Sequence, residues 1–310
     1  MFKMLLLAGA AIAMTGAMTG AASAKDLKSV GITVGSLGNP YFVSVGKGAT
    51  EAVHAINPAA KVTIASADYD LNKQFTQIDN FIAAGVDMIL VNAADPRAIA
   101  PAVKRAQAAG IVVVGVDVAA AGADATVQTN NTQAGEISCQ YLADKIGHKG
   151  NVVIENGPQV SAVIDRVNGC KKVFSAYPGI KILSSDQDGK GSRDGGMNAM
   201  QGYLTRFPDI AGVFAINDPQ AIGSDLAAHQ LNRSGIVITS VDGAPDIVAA
   251  LKGPTMVQAS ASQDPFGMGK LAVQTGYGIM EGKKPADPMI LMPSHLVTRE
   301  NVGSYPGWSH

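Results

Sequence analysis

The chain runs to 310 residues, 47% of them hydrophobic and only 5% aromatic, with 24 basic against 25 acidic side chains and a formal net charge of −1. That balance removes the electrostatic basis for binding nucleic acid or an anionic membrane surface, and the apolar content excludes a disordered chain. The length exceeds what one compact core usually takes and suits two α/β domains or one large one.

Residues 1–24 combine Lys3, an apolar stretch from Met4, and Ala22-Ser23-Ala24 with small residues at its outer positions. This is the three-part layout of a cleaved secretory signal peptide. Thr15, Gly16, Thr19 and Gly20 interrupt the stretch before it reaches the roughly 18 apolar residues that a membrane span needs. No cysteine stands near the cleavage point to carry a lipid. The exported protein is expected to start near Lys25.

Beyond the leader, strand-like and helix-like segments alternate. Apolar runs near 29–35, 62–67, 88–94, 111–117, 151–156, 180–185, 212–217, 237–242, 256–261 and 289–293 read as strands. Helix-length segments fall at 41–56, 73–84, 97–109, 132–147, 161–177, 192–206, 219–231, 245–252 and 265–281. The strand runs are nearly continuous rather than alternating, as expected of parallel strands covered by helices on both faces. Right-handed crossovers then give a doubly wound sheet. Residues 118–131, rich in small and polar side chains, read as a passage between two lobes. The abundance of glycine and alanine suits tight helix-on-sheet packing.

Several of the apolar runs stop at a polar residue: MILVNAAD (88–95), VVVGVDV (112–118), GVFAIND (212–218) and ITSVDG (238–243). In an open parallel sheet, ligands bind at the carboxyl ends of the strands. A row of Asp and Asn there predicts a cleft that hydrogen-bonds a hydroxyl-rich solute, with carboxylates and a guanidinium supplying the strongest bonds and aromatic rings an apolar surface. Cys139 and Cys170 each fall in a predicted helix of the same half, and in an oxidising compartment a disulfide between them is expected. The alternative is two small buried apolar residues that never meet. There is no CxxC motif, no GxSxG motif and no phosphate-binding GxGxxG, and the five histidines are scattered, so neither cofactor nor metal is expected.

The segments VGITVGSLGNPYFVSVGKGATEA (30–52), AINDPQAIG (215–223), VDGAPD (241–246) and ASQDP (261–265) resemble the ribose-binding branch of the periplasmic solute-binding proteins that serve ATP-driven sugar importers. The resemblance spans nearly all of the chain after the leader. It implies two doubly wound parallel-sheet lobes joined by a three-crossing hinge, with crossings near 129–131, 263–264 and 291–293. The first lobe would combine 25–130 with 264–291 and the second 131–263 with 292–310. The ligand would sit in the cleft between them, enclosed by hinge closure.

Carried onto this sequence, the family's contacts fall on Asn39, Tyr41 and Phe42 after the first strand, on Asp117 and Asp242 at strand ends, on Arg166 in the second lobe, on Asn217, and on Gln263 at a crossing. Asp117 and Asp242 could instead cap a helix or turn, Arg166 could be an exposed helix arginine, and Tyr41 and Phe42 could be core. Asp218 reads as the cap of the helix that begins at Pro219, and Trp308 as a surface or lobe-packing residue. Two positions depart from the ribose-binding pattern: Val118 stands where an arginine is usual, and Gly191 lies near where an aromatic is often placed. The guest is therefore expected to be a pentose, a hexose or an acyclic polyol, with ribose itself disfavoured. The resemblance further implies a monomeric periplasmic receptor that partners a membrane ABC permease, and as a variant of that role a chemoreceptor. A secreted glycosidase using Asp117 and Asp242 as acid and base is the enzymatic alternative. It is disfavoured on the expectation that Arg166 and nearby amides hold both carboxylates ionised.

Overall fold

The computed structural model describes residues 26–308; the expected leader, 1–24, lies outside them. The described chain opens with β1 (Ser29–Val34), α1 (Pro40–Ile56), β2 (Lys61–Ser66), α2 (Leu71–Ala83), β3 (Met88–Val91), α3 (Ala100–Ala108), β4 (Val112–Val116) and β5 (Ala125–Thr129). It continues through α4 (Asn131–Lys145), β6 (Lys149–Glu155), α5 (Ser161–Ser175), β7 (Gly179–Ser184), α6 (Arg193–Arg206), β8 (Gly212–Ala215), α7 (Asp218–Gln230), β9 (Val237–Asp242), α8 (Pro245–Lys252), β10 (Val257–Ser262) and α9 (Pro265–Met280), and closes with β11 (Met289–Met292) and β12 (His295–Thr298).

These strands form two six-stranded sheets, ordered β11-β5-β4-β3-β1-β2 and β12-β10-β9-β8-β6-β7. All pairings are parallel except β10 with β12. The continuous apolar runs occupy the sheet centres: all four residues of β3 are buried, whereas edge strand β2 keeps exposed polar positions. The fold class is thus two α/β lobes with parallel sheets.

Two strands escaped the sequence reading. Residues 118–131 are more than a passage, because β5 lies within them and is buried throughout. Its sequence, ATVQT, is short and half polar, and it hides Thr126 and Gln128 only because β4 and β11 pair on either side of it. The four-residue β12 carries no run long enough to stand out and is held by antiparallel pairing to β10.

The chain passes between the sheets three times: from β5 to α4, from β10 to α9, and from β11 to β12. The three passages are tied to one another. Asn130 N donates to Met292 O at 2.8 Å, Ser294 Oγ donates to Ser262 O at 2.8 Å, and Thr129 Oγ1 donates to Gln263 Oε1 at 2.6 Å.

Helices pack in pairs, α1 with α9, α4 with α5 and α6 with α7. Here the role expected for glycine needs correcting, since helix-on-sheet packing is only part of it. A Cβ on Gly135 of α4 would sit 2.1 Å from Arg166 O of α5, and one on Gly48 of α1 would sit 2.0 Å from Phe266 O of α9. Glycine lets these backbones touch. The α4–α5 pair is also joined covalently by a disulfide between Cys139 and Cys170, whose Cα atoms are 5.1 Å apart.

Candidate functional site

The carboxyl ends of both sheets face one cavity of about 40 Å³. All eight residues singled out in the sequence line it: Asn39, Tyr41, Phe42 and Asp117 from the first sheet's side, Arg166, Asn217 and Asp242 from the second, and Gln263 at a passage between them. The lobes touch beside it, where Ala119 N donates to Ser161 Oγ at 2.7 Å. One apolar cluster includes Val118 and Ala120 on one side of the cleft and Val160 and Val163 on the other.

Backbone geometry sets the two aspartates. Asp117 follows β4 with φ 69°, and Asp242 ends β9 with φ 139°, both in the region that favours glycine. Holding a side chain there costs on the order of 1–3 kcal/mol, and such strain concentrates at functional sites. Neither residue caps a helix. Asp117 Oδ2 accepts from Asn92 Nδ2 at 2.9 Å, and Asp242 Oδ1 accepts from Gln263 Nε2 at 2.7 Å.

Arg166 is 5% exposed, so it is no surface arginine. Its Nε donates to Asn131 Oδ1 and its Nη1 to Ile216 O, both at 2.9 Å, and Nη1 lies 3.6 Å from Asp242 Oδ1. Nη2 has no acceptor among the described residues, so this rigidly held fork keeps donors for a guest. Asn217 is more committed: Oδ1 accepts from Gln220 N at 3.1 Å as the cap of α7, and Nδ2 donates to Gly191 O at 3.0 Å. Asn39 likewise caps α1, accepting from Tyr41 N. Gln263 spends its amide on Asp242, Thr129 and the Tyr41 hydroxyl.

Asp218 is not the cap that the sequence suggested. Asn217 takes that role, and Asp218, fully buried, accepts from Ser240 Oγ at 2.5 Å, Ser260 Oγ at 2.6 Å and Ala244 N at 2.7 Å. Tyr41 and Phe42 are both core and cavity wall. They meet edge to face at 5.4 Å, and both belong to the cluster under α1. Trp308 packs edge-on against Tyr41 and donates Nε1 to Asp242 O at 2.9 Å, bracing the cleft from the chain's far end.

Burial works against the ionisation expected of the cleft carboxylates. Burial pushes the Asp117 carboxyl up, against the opposing pull of Arg166, Tyr41 and Asn92. Burial and then the neighbouring Asp218 push Asp242 well up, and Arg166 offsets this only in part. One guanidinium is shared among three buried carboxylates and cannot compensate them all. Burial and the nearby Asp117 likewise raise the Tyr41 hydroxyl.

Among the polar and aromatic lining residues, two were missed. Asn92 follows β3, and its Oδ1 is buried without a partner among the described residues; the polar stop of MILVNAAD was a usable signal. Tyr69, in the turn after β2 with φ 57°, brings its ring to the cavity and meets Phe42 edge to face at 6.4 Å. Nothing in its local sequence marks it. Among the described residues no group of His, Cys, Asp or Glu is placed to hold a metal, and no helix is long and apolar enough to cross a membrane.

Two hinged lobes and a polar cleft between them define a solute-binding protein of the closing-lobe class. Residues 30–284 match the periplasmic binding protein domain, and the chain belongs to that family. It is 34% identical over 277 residues to the ribose import binding protein of Bacillus subtilis, covering 88% of each chain. It is 32% identical over 290 residues to the xylitol-binding protein of Mycolicibacterium smegmatis, covering 91% of this chain and 80% of the relative. Its structure is similar to that of an ABC transporter periplasmic solute-binding protein from Actinobacillus succinogenes with bound D-allose, with a TM-score of 0.81, 28% identity, and coverage of 90% and 100%. An ABC transporter solute-binding protein from Mycobacterium smegmatis with bound glycerol gives a TM-score of 0.83, 28% identity, and coverage of 91% and 98%.

Proposed function

We propose that the chain is the solute receptor of an ATP-driven importer, acting in the periplasm after removal of residues 1–24, and that it encloses one small monosaccharide or polyol and hands it to a membrane permease. The lobes would divide as 25–130 with 264–291 and 131–263 with 292–310, turning about the three tied passages. The single observation that carries the reading is the convergence of Asp117, Asp242 and Arg166 from both sheets on one compact cavity. A neutral polyol suits it because each hydroxyl both donates and accepts: it gives hydrogens to the carboxylates and takes them from Arg166. Relatives that bind ribose, xylitol, D-allose and glycerol bracket that class of guest.

The glycosidase reading gains one observation, the raised carboxyl groups, since an acid catalyst needs such a shift. Membership of a family of binding proteins favours capture without chemistry. A monomeric receptor that also signals through a chemoreceptor would use the same cleft.

A thermal-shift screen of pentoses, hexoses, inositols and linear alditols tests the proposal. At least one compound should raise the melting temperature in a concentration-dependent way and be recovered chemically unchanged. A panel with no hit contradicts the receptor role, and recovery of an altered compound selects the enzyme.

A further inference from the structure

Beyond the inner cavity lies a second, larger chamber of about 580 Å³, also bounded by both lobes. The two share three lining residues, Asn39, Tyr69 and Gly191. The partition is thin. A Cβ on Gly191 would stand 3.7 Å from Tyr69 Oη, so the wall there is a tyrosine hydroxyl against bare glycine backbone. That hydroxyl makes no hydrogen bond to the described residues, and its ring sits in a turn where Asp68 and Tyr69 both take positive φ, at 53° and 57°.

The chamber's chemistry differs from the cavity's. Its walls gather the starts of α1, α6, α7 and α8, and three of these carry a proline within their first two positions: Pro40, Pro219 and Pro245. Helix starts ordinarily present N–H groups to anions, but proline has none, and Asn39 and Asn217 already cap α1 and α7. Ile222 and Ala244 add further apolar surface. Some of the charges at the rim are paired, Arg193 Nη2 with Asp246 Oδ2 at 2.7 Å and Asp68 with Lys73, and Lys190 stands outside these pairs. A neutral apolar substituent would bury its surface against the three prolines, Ile222 and Ala244.

We propose that the protein accepts sugars or polyols bearing a neutral apolar substituent, with the hydroxylated ring held in the inner cavity and the substituent passing Tyr69 and Gly191 into the outer chamber. This rests on the receptor reading above and names a substrate class for it, namely small glycosides and ethers of polyols. Tyr69 is then a specificity-determining residue, swinging aside for a substituted guest and closing over a free one.

The test is calorimetry on the purified protein with free pentoses and hexoses and with their phenyl α- and β-glycosides. For at least one sugar that binds, a phenyl glycoside should match its parent or bind up to about tenfold tighter, through apolar burial. Ile222→Trp, which fills the chamber without touching the inner cavity, should then weaken that glycoside by at least about tenfold and leave the free sugar within about threefold. Losses above about 100-fold for every glycoside of a binding sugar would overturn the inference alone, as would a variant that affects both guests equally or neither. The wild-type comparison decides even if that variant fails to fold, and Ile222→Phe serves as a milder plug. Should no sugar bind, free or substituted, the receptor reading itself fails and takes the inference with it.

Discussion

Asp117 illustrates what one residue can carry. Its side chain is buried, strained at the backbone and held by Asn92, yet it contributes to no helix cap and pairs with no cation at hydrogen-bond distance. Asp117→Ala should therefore weaken the best ligand by about 1.5–3 kcal/mol, the worth of a charge-assisted hydrogen bond, while the melting temperature of the protein alone changes little. Unchanged affinity by calorimetry would remove Asp117 from the site. Glu155, at the end of β6, offers a separate check. Burial pushes its carboxyl up to about 8, with only Ser224 and Gln220 to oppose it. Between its ordinary value near 4.5 and about 8, the folded protein keeps a proton that the unfolded chain has lost. Stability from this group is thus complete below the lower value and declines as pH rises through the upper one. Glu155→Gln should flatten that decline, gaining a few kcal/mol near pH 8.5 relative to wild type. Denaturation curves at pH 5 and 8.5 check this, and parallel profiles for the two proteins would contradict it.

At the scale of elements, the helices and the ten apolar strands were legible because burial on both faces writes continuous hydrophobic runs. What was not legible depended on neighbours. β5 and β12 are too short to be read without the strands that pair with them, and Asp218 looks like a cap until Ser240 and Ser260 are seen to converge on it. The site divided in the same way. Residues at strand ends were readable from the motifs, whereas Tyr69 enters from a turn whose curvature only the fold reveals. The α4–α5 pair shows how packing serves the site: Gly135 lets α5 approach, α5 carries Arg166, and Asn131 of α4 fixes the guanidinium. The Cys139–Cys170 disulfide closes a sequence separation of 31 residues across the same pair. On chain-entropy grounds such a link is worth about 3–4 kcal/mol. Intact mass after alkylation should show no labelled thiol without reductant and two with it, and the reduced protein should melt lower. Labelling of both cysteines without reductant would exclude the bridge.

For the whole molecule, the raised carboxyl groups explain why closure should depend on the guest. Bringing the lobes together takes Asp117 and Asp242 out of water with one shared guanidinium between them, and that desolvation opposes closing. Hydroxyls of a polyol supply the missing donors, so the guest stabilises the closed arrangement over the open one. The importer role follows from that coupling, because only a closed receptor then reports a captured solute. Small-angle X-ray scattering of the protein alone and with a saturating concentration of the strongest hit from the sugar and polyol screen tests the claim most directly. The account predicts a smaller radius of gyration with ligand and a profile that fits the closed two-lobe structure. Superimposable profiles under both conditions, with binding verified in the same samples, would contradict it.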